Sequence, residues 1–411
     1  MMSADLEPRS VLLITSSFFP ETLGIGRYST DIAFVLGGMF QNLTVLCETP
    51  DEHFVVKSNL APNFEKTGLG FNSINILRTR KPRSPKISLI GRLLREMSFL
   101  FTGLRYFRKI SSAPPTLAVS VIPKVSSLLI GIIFKNYFKI PLLVIVQDVS
   151  SSALTEVGLS KSKMLAFFAK RVEGFSLKCA DKIICISEQM SVFLVEEFAV
   201  TESKISIIPN YFIPMNGEKS DPTLRKRDKF IILYSGALGL KQDLQIISST
   251  ADSLIEYPEI EFHIYCAGPG FADMDRIQET RPNIFLSPIL PEKEYVRALN
   301  EASVFLLAEK STLRNMCLPS KLTTYFAFEK PVIAVVNPES ATAFFLEDSS
   351  LIVSPESPEK LLSAILSLKN DTSLYYNCVA KSKYLFEKKM YRENAIENYI
   401  SVIIELTTHT A

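Results

Sequence analysis

Histidine is scarce in this sequence: His53, His263 and His409 are the only three in 411 residues. Three scattered imidazoles do not build a histidine-rich metal centre. The six cysteines (Cys47, Cys179, Cys185, Cys266, Cys317, Cys378) contain no CxxC pair. They read as buried thiols in a reducing compartment rather than as disulfides or zinc ligands. The net charge is +2, which gives no electrostatic footprint for nucleic acid or for an acidic partner. A long uninterrupted apolar run is also missing. The most apolar stretch, Thr116 to Val146, is broken by Lys124, Lys135, Asn136, Lys139 and Pro141. Its pieces fall well short of the roughly 20 residues that cross a bilayer, so it reads as βαβ. The first residues, Met1 to Arg9, have no apolar core before a cleavage site, so no signal peptide is expected and a cytoplasmic location follows.

Apolar residues make up 47% of the chain and charged residues 21%. That balance fits an α/β protein with a large core, and the length fits two domains. The stretch from Leu318 to Val336 organises the rest. Pro319 suits a first helical turn, and Leu322, Tyr325 and Phe326 share one helical face. Lys330-Pro331 ends the helix, and Val332 to Val336 reads as a strand buried in a parallel sheet. Ser320 and Lys321 would then sit at a helix N-terminus, where free N–H groups and a partial positive charge attract phosphate. The same pattern also serves as an ordinary αβ unit with a surface lysine.

In the N-terminal half, Val11 to Thr15 is a predicted strand, followed by a loop with Gly24, Gly26 and Arg27 and a helix from Ser29 to about Leu36. This is the first unit of a Rossmann-like fold, without the GxGxxG spacing of dinucleotide sites. Strands are predicted at Leu43–Cys47, Ile74–Arg78, Thr116–Ile122 and Leu142–Val146. A polar loop is expected over Thr49–Thr67, and a basic, proline-broken segment over Arg78–Lys86. Ile90, Leu93, Leu94, Met97, Leu100, Phe101, Leu104 and Phe107 give one wide apolar helical face, with Arg92, Arg95 and Arg105 off it. Two uses fit this helix equally. It could pack on the sheet, or segment 86–109 could lie peripherally on an anionic membrane. Asp148 follows the strand that ends at Val146, so it is placed where open α/β sheets bind ligands. It could orient a sugar hydroxyl, act as a base, or cap a turn.

In the C-terminal half, Met215–Lys229 reads as a linker. Phe230–Tyr234 is a strand followed by a glycine loop, Ser235-Gly236-Ala237-Leu238-Gly239-Leu240-Lys241, and a helix. Lys241 can offer charge to a phosphate. Further strands are predicted at Glu261–Cys266 (before Gly268), Ile284–Ile289 and Ala302–Leu307. Helices are predicted at Leu361–Leu368 and Arg392–Leu406.

Pro319-Ser320-Lys321-Leu322, then Lys330-Pro331-Val332-Ile333-Ala334, resembles the donor-binding segment of family 4 retaining glycosyltransferases. The resemblance is to the colanic-acid-type and aminosugar-transferase branch of bacterial surface polysaccharide synthesis. Phe18-Phe19-Pro20 with the Gly24-x-Gly26 loop, Val146-Gln147-Asp148, the segment from Ala180 to Ser187, Asn210, and Tyr234-Ser235-Gly236 with Lys241-Gln242 match in order along nearly the whole chain. The resemblance implies a GT-B fold, two Rossmann-like domains with parallel sheets facing across a cleft. It implies an acceptor-binding domain over 1–212, a nucleotide-sugar-binding domain over 213–385, and a helix over 386–411 that crosses back.

The implied activity is transfer of a sugar (a hexose or an N-acetylaminosugar) from a nucleotide diphosphate sugar to a surface polysaccharide or lipid-linked glycan, with retention, no cofactor and no metal. Asp148, Lys241 and Lys321 carry the implied catalytic roles. The implied donor-binding residues are Gly24, Gly26, Arg27, Ser235, Gly236, Lys241, Gly268, Ser287, Ile289, Pro319, Ser320, Lys321 and Leu322. One departure stands out. The family's glutamate pair should fall near Met316 and at Thr324, and neither is acidic; Glu309 is the nearest preceding carboxylate. Two other readings share the fold: a non-hydrolysing nucleotide-sugar epimerase, and an inactive scaffold in a polysaccharide assembly.

Overall fold

Strands β1 (Ser10–Ile14), β2 (Asn42–Glu48), β3 (Ser73–Thr79), β4 (Leu117–Ile122), β5 (Leu142–Val146), β6 (Lys182–Cys185) and β7 (Ile205–Ile207) form one all-parallel sheet in the order β3-β2-β1-β4-β5-β6-β7. Strands β4 and β5 are buried along their whole length. Their sequences, LAVSVI and LLVIV, are near-continuous apolar runs because helices cover both faces of a parallel sheet. The structure is a computed structural model. It describes residues 10–21, 24–50, 73–80, 89–151, 163–215, 228–239, 241–242, 244–314 and 318–408. Most of the expected loop over Thr49–Thr67, the basic run after Arg80, and most of the expected linker lie outside these residues, as do Met316 and Cys317.

The chain divides into two compact units, Met1–Pro209 with Glu393–Ala411, and Asn210–Arg392. In the first unit, α1 (Ile25–Met39) joins β1 to β2, and helices α2 (Leu89–Leu104), α3 (Phe107–Ser111), α4 (Val125–Phe138), α5 (Lys163–Lys178) and α6 (Glu188–Phe198) serve the other connections. Helix α1 starts four residues before the predicted Ser29, directly after Gly24. The connections from β3 onwards run to the opposite side of β1, so α2, α4 and α5 pack in turn as one layer. Leu12, Ile14, Leu46, Leu77, Phe99, Ile130 and Phe134 form the core beneath α2 and α4.

Helix α2 divides the apolar face read from the sequence, with Leu100 packed against the core. Its inward side carries Phe99, the buried Nε of Arg95, and Glu96, whose carboxylate accepts hydrogen bonds from Ser126 N (2.8 Å) and Oγ. Leu93, Leu94, Met97 and Phe101 of the predicted apolar face are exposed instead. The last helix of the chain, α14 (Arg392–Thr408), buries Tyr399 beside Tyr28 and Asp31 of the first unit, and Lys182 Nζ reaches Glu405 Oε1 at 2.9 Å. Ala395, Val402 and Ile403 are buried on its packed side, and Ile404 is exposed.

The second unit holds β8 (Phe230–Ala237), β9 (Ile260–Ala267), β10 (Ile284–Ser287), β11 (Val304–Ala308), β12 (Val332–Val335) and β13 (Leu351–Val353) in the order β10-β9-β8-β11-β12-β13, again all parallel. Around it lie α7 (Gln245–Ser253), α8 (Phe271–Gln278), α9 (Glu292–Glu301), α10 (Lys321–Ala327), α11 (Ala341–Leu346), α12 (Pro358–Asn370) and α13 (Thr372–Leu385). Two of these boundaries correct the sequence-based expectation. Strand β8 runs on through Ser235 and Gly236, which were expected in a loop. Strand β10 stops at Ser287, short of Ile289. Edge strand β13 carries no sequence expectation, since three residues are too few for a readable period. In each sheet the order reverses once, between β1 and β4 and between β8 and β11. Open α/β sheets bind ligands beyond the strand ends at such points.

One buried ion pair ties the first sheet's carboxyl edge. Lys124, just after β4, bonds Glu48 at the end of β2, with side chains 10% and 5% exposed, and its Nζ lies 5.0 Å from the centre of the Phe99 ring. Removing one partner strands the other charge in the interior. Lys124→Met should therefore cost roughly 3–5 kcal/mol of unfolding free energy. Adding Glu48→Leu should recover much of the loss. Urea titration of both variants checks this, and equal destabilisation by the single and double variants would refute it.

Candidate active-site residues in the two units

In the first unit, the loop after β1 is held close to the sheet. Thr15 Oγ1 pairs with Ser29 Oγ at 2.9 Å, and Phe19 N donates to Thr30 Oγ1 at 3.0 Å. Thr30 Oγ1 in turn donates to Gly26 O at 2.7 Å, and the Arg78 guanidinium donates to Phe19 O and Glu48 O. Gly24 has φ +53°, and a Cβ on Gly26 would lie 2.6 Å from Glu21 O. Only glycine fits either position without strain. Arg27 is half-buried in the first turn of α1. These three residues therefore sit at the β1/β4 reversal.

Asp148 lies two residues beyond β5, half-buried, and its Oδ1 accepts a hydrogen bond from Val149 N at 2.9 Å. The support beneath it is Glu173, a fully buried carboxylate on α5. Glu173 accepts from Ser150 N at 2.9 Å and from Ser151 N at 2.8 Å. Burial raises its pKa, against the pull of these hydrogen bonds, and the Asp148 charge raises it further. Sequence reasoning gave Glu173 no role. A single glutamate within a helix offers no signal that it turns inward to hold a loop.

In the second unit, the reversal between β8 and β11 gathers the lysines. Lys241 follows β8 and lies against the chain after β11, where Lys310 N donates to Lys241 O at 3.0 Å. The same loop is fixed by Gly239 N donating to Gln242 Oε1 at 3.0 Å. Lys321 opens α10, a helix of seven residues that begins after Ser320 and Pro319 rather than at Pro319. Ser320 has helical backbone angles and makes no side-chain cap. The site's main cation is thus a side chain rather than a long helix dipole.

The Lys321 side chain passes over Gly236, where a Cβ would stand 3.3 Å from its Cε and 3.4 Å from its Nζ. Gly236 has φ +117°, so it serves both the turn and the close approach. The ammonium ends 3.8 Å above the centre of the Tyr234 ring, a cation–π seat. It is buried and makes no hydrogen bond. Burial pushes its pKa down from 10.5 to about 7, although the charges of Glu309 and Cys266 pull it back up.

Around this lysine, Ser235 Oγ lies 2.7 Å from Tyr295 OH and 3.1 Å from Tyr325 OH, and Ser235 N donates to Tyr325 OH at 2.9 Å. Tyr325 also stacks on Phe305, with centroids 4.4 Å apart. The cluster locks the end of β8 to α10 and so fixes Gly236 against Lys321. Gly268 follows β9 with φ +122°, and a Cβ there would be 2.7 Å from Leu238 O. Ser287 ends β10, Ile289 lies two residues further on, and Leu322 is buried in α10.

Thr324, the position of the missing second glutamate, is buried within α10. Met316 lies outside the described residues. Glu309 is buried at the end of β11 and close enough to Lys321 and Tyr234 to act on both electrostatically. Tyr234, Tyr295, Tyr325 and Glu309 are the contributors that sequence reasoning left without a role. Among the described residues no group of three or more His, Cys, Asp or Glu is placed to hold a metal ion.

No protein-family model matches the chain. In sequence it is similar to the "Putative colanic acid biosynthesis glycosyl transferase WcaI" of Escherichia coli K12, at 24% identity over 96% of this chain and 99% of that protein. In structure it is similar to a sucrose-phosphate synthase from Thermosynechococcus elongatus (TM-score 0.68, 13% identity, 98% of this chain and all of the other). It is also similar to Anabaena HepE solved with UDP-glucose (TM-score 0.67, 11% identity, 96% of this chain and 99% of the other). At these identities the solved structures establish the fold, and the sequence similarity adds the kind of enzyme: the chain has the GT-B fold and is a glycosyltransferase, similar along most of its length to one of colanic acid synthesis.

Proposed function

We propose that the chain transfers a hexose or N-acetylaminosugar, with retention of anomeric configuration, from a nucleotide diphosphate sugar to a growing surface glycan or its lipid-linked precursor. The observation that carries this reading is the ammonium of Lys321, buried without a hydrogen-bond acceptor at the strand-order reversal of the second sheet. A charged group in that position costs stability until an anion reaches it. A purely structural scaffold has no use for that cost. The structurally similar Anabaena HepE is solved with UDP-glucose bound, which supports a nucleotide sugar as the donor class.

In the reaction the bond between the anomeric carbon and the diphosphate oxygen breaks while the acceptor oxygen bonds to the same carbon. Negative charge grows on the departing diphosphate. Lys321 and Lys241 stabilise that charge, and the low-polarity seat on Tyr234 strengthens the attraction. Gly236 leaves room for the phosphate beside Lys321, and Ser235, Gly268, Ser287, Ile289, Pro319, Ser320 and Leu322 shape the donor pocket. Asp148 orients a sugar or acceptor hydroxyl, with its loop fixed by Glu173. Gly24, Gly26 and Arg27 let a ligand approach the first sheet closely.

A thermal-shift panel of UDP, GDP, ADP and CMP tests the donor reading. At a hundred times Kd, one nucleotide diphosphate should stabilise the protein by about 2.7 kcal/mol, visible as a rise of several degrees in Tm. Lys241→Ala should weaken that nucleotide at least about tenfold, the scale of a lost charge-assisted hydrogen bond. If all four nucleotides leave the Tm of the unmodified protein unchanged, the donor reading fails.

Lys321→Met makes a second, opposite prediction. The folded pKa of Lys321 lies near 7, below the 10.5 of the unfolded chain. The folded state therefore binds fewer protons than the unfolded state between those values, and stability rises with pH across that window. Without nucleotide, Lys321→Met should be more stable than the unmodified protein at pH 7 and below. Its advantage should shrink as pH rises from 7 to 10.5. The same substitution should abolish nucleotide stabilisation. Melting curves across pH, with and without the active nucleotide, check both parts. A variant less stable at every pH would overturn the assignment.

A further inference from the structure

The second sheet is all parallel, so its strand ends make two distinct edges. The candidate donor residues gather at the carboxyl edge. At the opposite edge, the turn over 347–350 joins α11 to the edge strand β13 and faces α13. Turn and helix enclose an open cleft of about 370 Å³, lined by Leu346, Glu347, Asp348, Ser349, Lys381 and Tyr384 among others. That volume is at the lower end of those that hold small molecules. The wall is built in advance. Ser349 N donates to Leu346 O at 2.9 Å, and the buried Ser382 of α13 donates from Oγ to Ser349 O at 3.1 Å.

The cleft combines one aromatic wall with balanced charges. Tyr384 is 62% exposed and stands one helical turn beyond Lys381, on the same side of α13. Lys381 Nζ pairs with Asp348 Oδ2 at 2.6 Å, and Lys389 Nζ pairs with Glu347 Oε1 at 2.7 Å. Hydrogen bonds from these lysines hold both carboxyls below their ordinary pKa, so both are ionised acceptors. Glu347 also has φ 51° and ψ −124°, a backbone that suits glycine and strains any side chain. An ion pair as exposed as its own contributes less than such a backbone costs. The carboxylate is therefore kept at a position where stability alone favours glycine.

These features select a ligand chemistry. Two carboxylates and two ammoniums cancel, so the cleft exerts no net pull on an anion or a cation. Each ion still has hydrogen-bonding capacity beyond its pair. A fitting ligand is uncharged, has an apolar face for the Tyr384 ring, and carries groups that both donate and accept. A pyranose ring has this character: its C–H face is apolar, and its hydroxyls donate to carboxylates and accept from ammoniums. A nucleotide would stack equally well on the ring, but its phosphates would face Glu347 and Asp348. We infer that the cleft between the α11–β13 turn and α13 binds an uncharged pyranose unit of a glycan, as a second sugar site separate from the donor site. That the sugar belongs to a glycan rests on the glycosyltransferase reading.

The sequence contains no tryptophan, so Tyr384→Trp places a single fluorescent reporter in the cleft of the full chain and keeps an aromatic wall. The probes are the methyl glycosides of glucose, galactose, mannose, fucose and N-acetylglucosamine at millimolar concentrations. At least one should shift the emission saturably, and Asp348→Ala in the same background should weaken it at least about fivefold. Saturation-transfer NMR with that glycoside on the unmodified protein should show the same binding. Tyr384→Ala should reduce it at least about fivefold with an unchanged melting curve, since the ring is exposed. Phe285→Trp, a reporter on the exposed Phe285 of the other edge strand, β10, should not respond. UDP should leave the Tyr384→Trp emission unchanged. The NMR series stands even if Tyr384→Trp fails to fold. Failure of the donor reading appears as melting temperatures that ignore nucleotides, whereas failure of this inference appears in the sugar titrations. No response to any of the five glycosides by emission or NMR, equal binding after Asp348→Ala, or a response to UDP in place of sugars would each overturn it.

Discussion

A parallel sheet cannot be closed by hairpins. Every strand needs a crossover, the crossovers are right-handed, and their helices must cover both faces. That constraint governs both units of this chain. It buries the strands on both sides, so they are written in continuous apolar residues. It forces the strand order to reverse once, and at the reversal two adjacent loops part beyond the strand ends. The β1 loop with Gly24, Gly26 and Arg27 lies at one reversal. Lys241 and Lys321 lie near the other, and Lys310 N ties the Lys241 loop to the chain after β11.

Against this background Lys321 is an expense of the fold, and its surroundings explain how it is tolerated. The Tyr234 ring offers its electron-rich face, Gly236 offers space, and Glu309 offers a compensating charge nearby. Burial still wins, because none of the three replaces the water and hydrogen bonds that an ammonium loses. The same trade recurs in the first unit. There Glu173 is kept in the interior by the backbone N–H groups of Ser150 and Ser151 and thereby fixes the loop that carries Asp148. In both units a buried ionisable side chain is retained beside a loop at the strand ends.

The layer of α2, α4 and α5 follows a different logic. Its inner side contacts the sheet through Phe99, Ile130 and Phe134 together with polar groups, and its outer side carries the larger apolar stripes.

The amino-acid sequence by itself determined much of the alternation of strands and helices and the glycine and lysine positions near the strand ends. These depend on local periodicity and on backbone restrictions at Gly and Pro, which a single segment carries in itself. It did not determine which side of α2 faces the sheet, because either side of that helix can be made to pack. It did not show that β8 continues through Ser235 and Gly236, or that Tyr325 of α10 holds that strand end by bonding Ser235. Nor could it pair Lys124 with Glu48 or place Tyr234 beneath Lys321, since these partners are 76 and 87 residues apart in the chain. Only the tertiary structure decided them, because burial and the pairing of charges are properties of what the fold brings together.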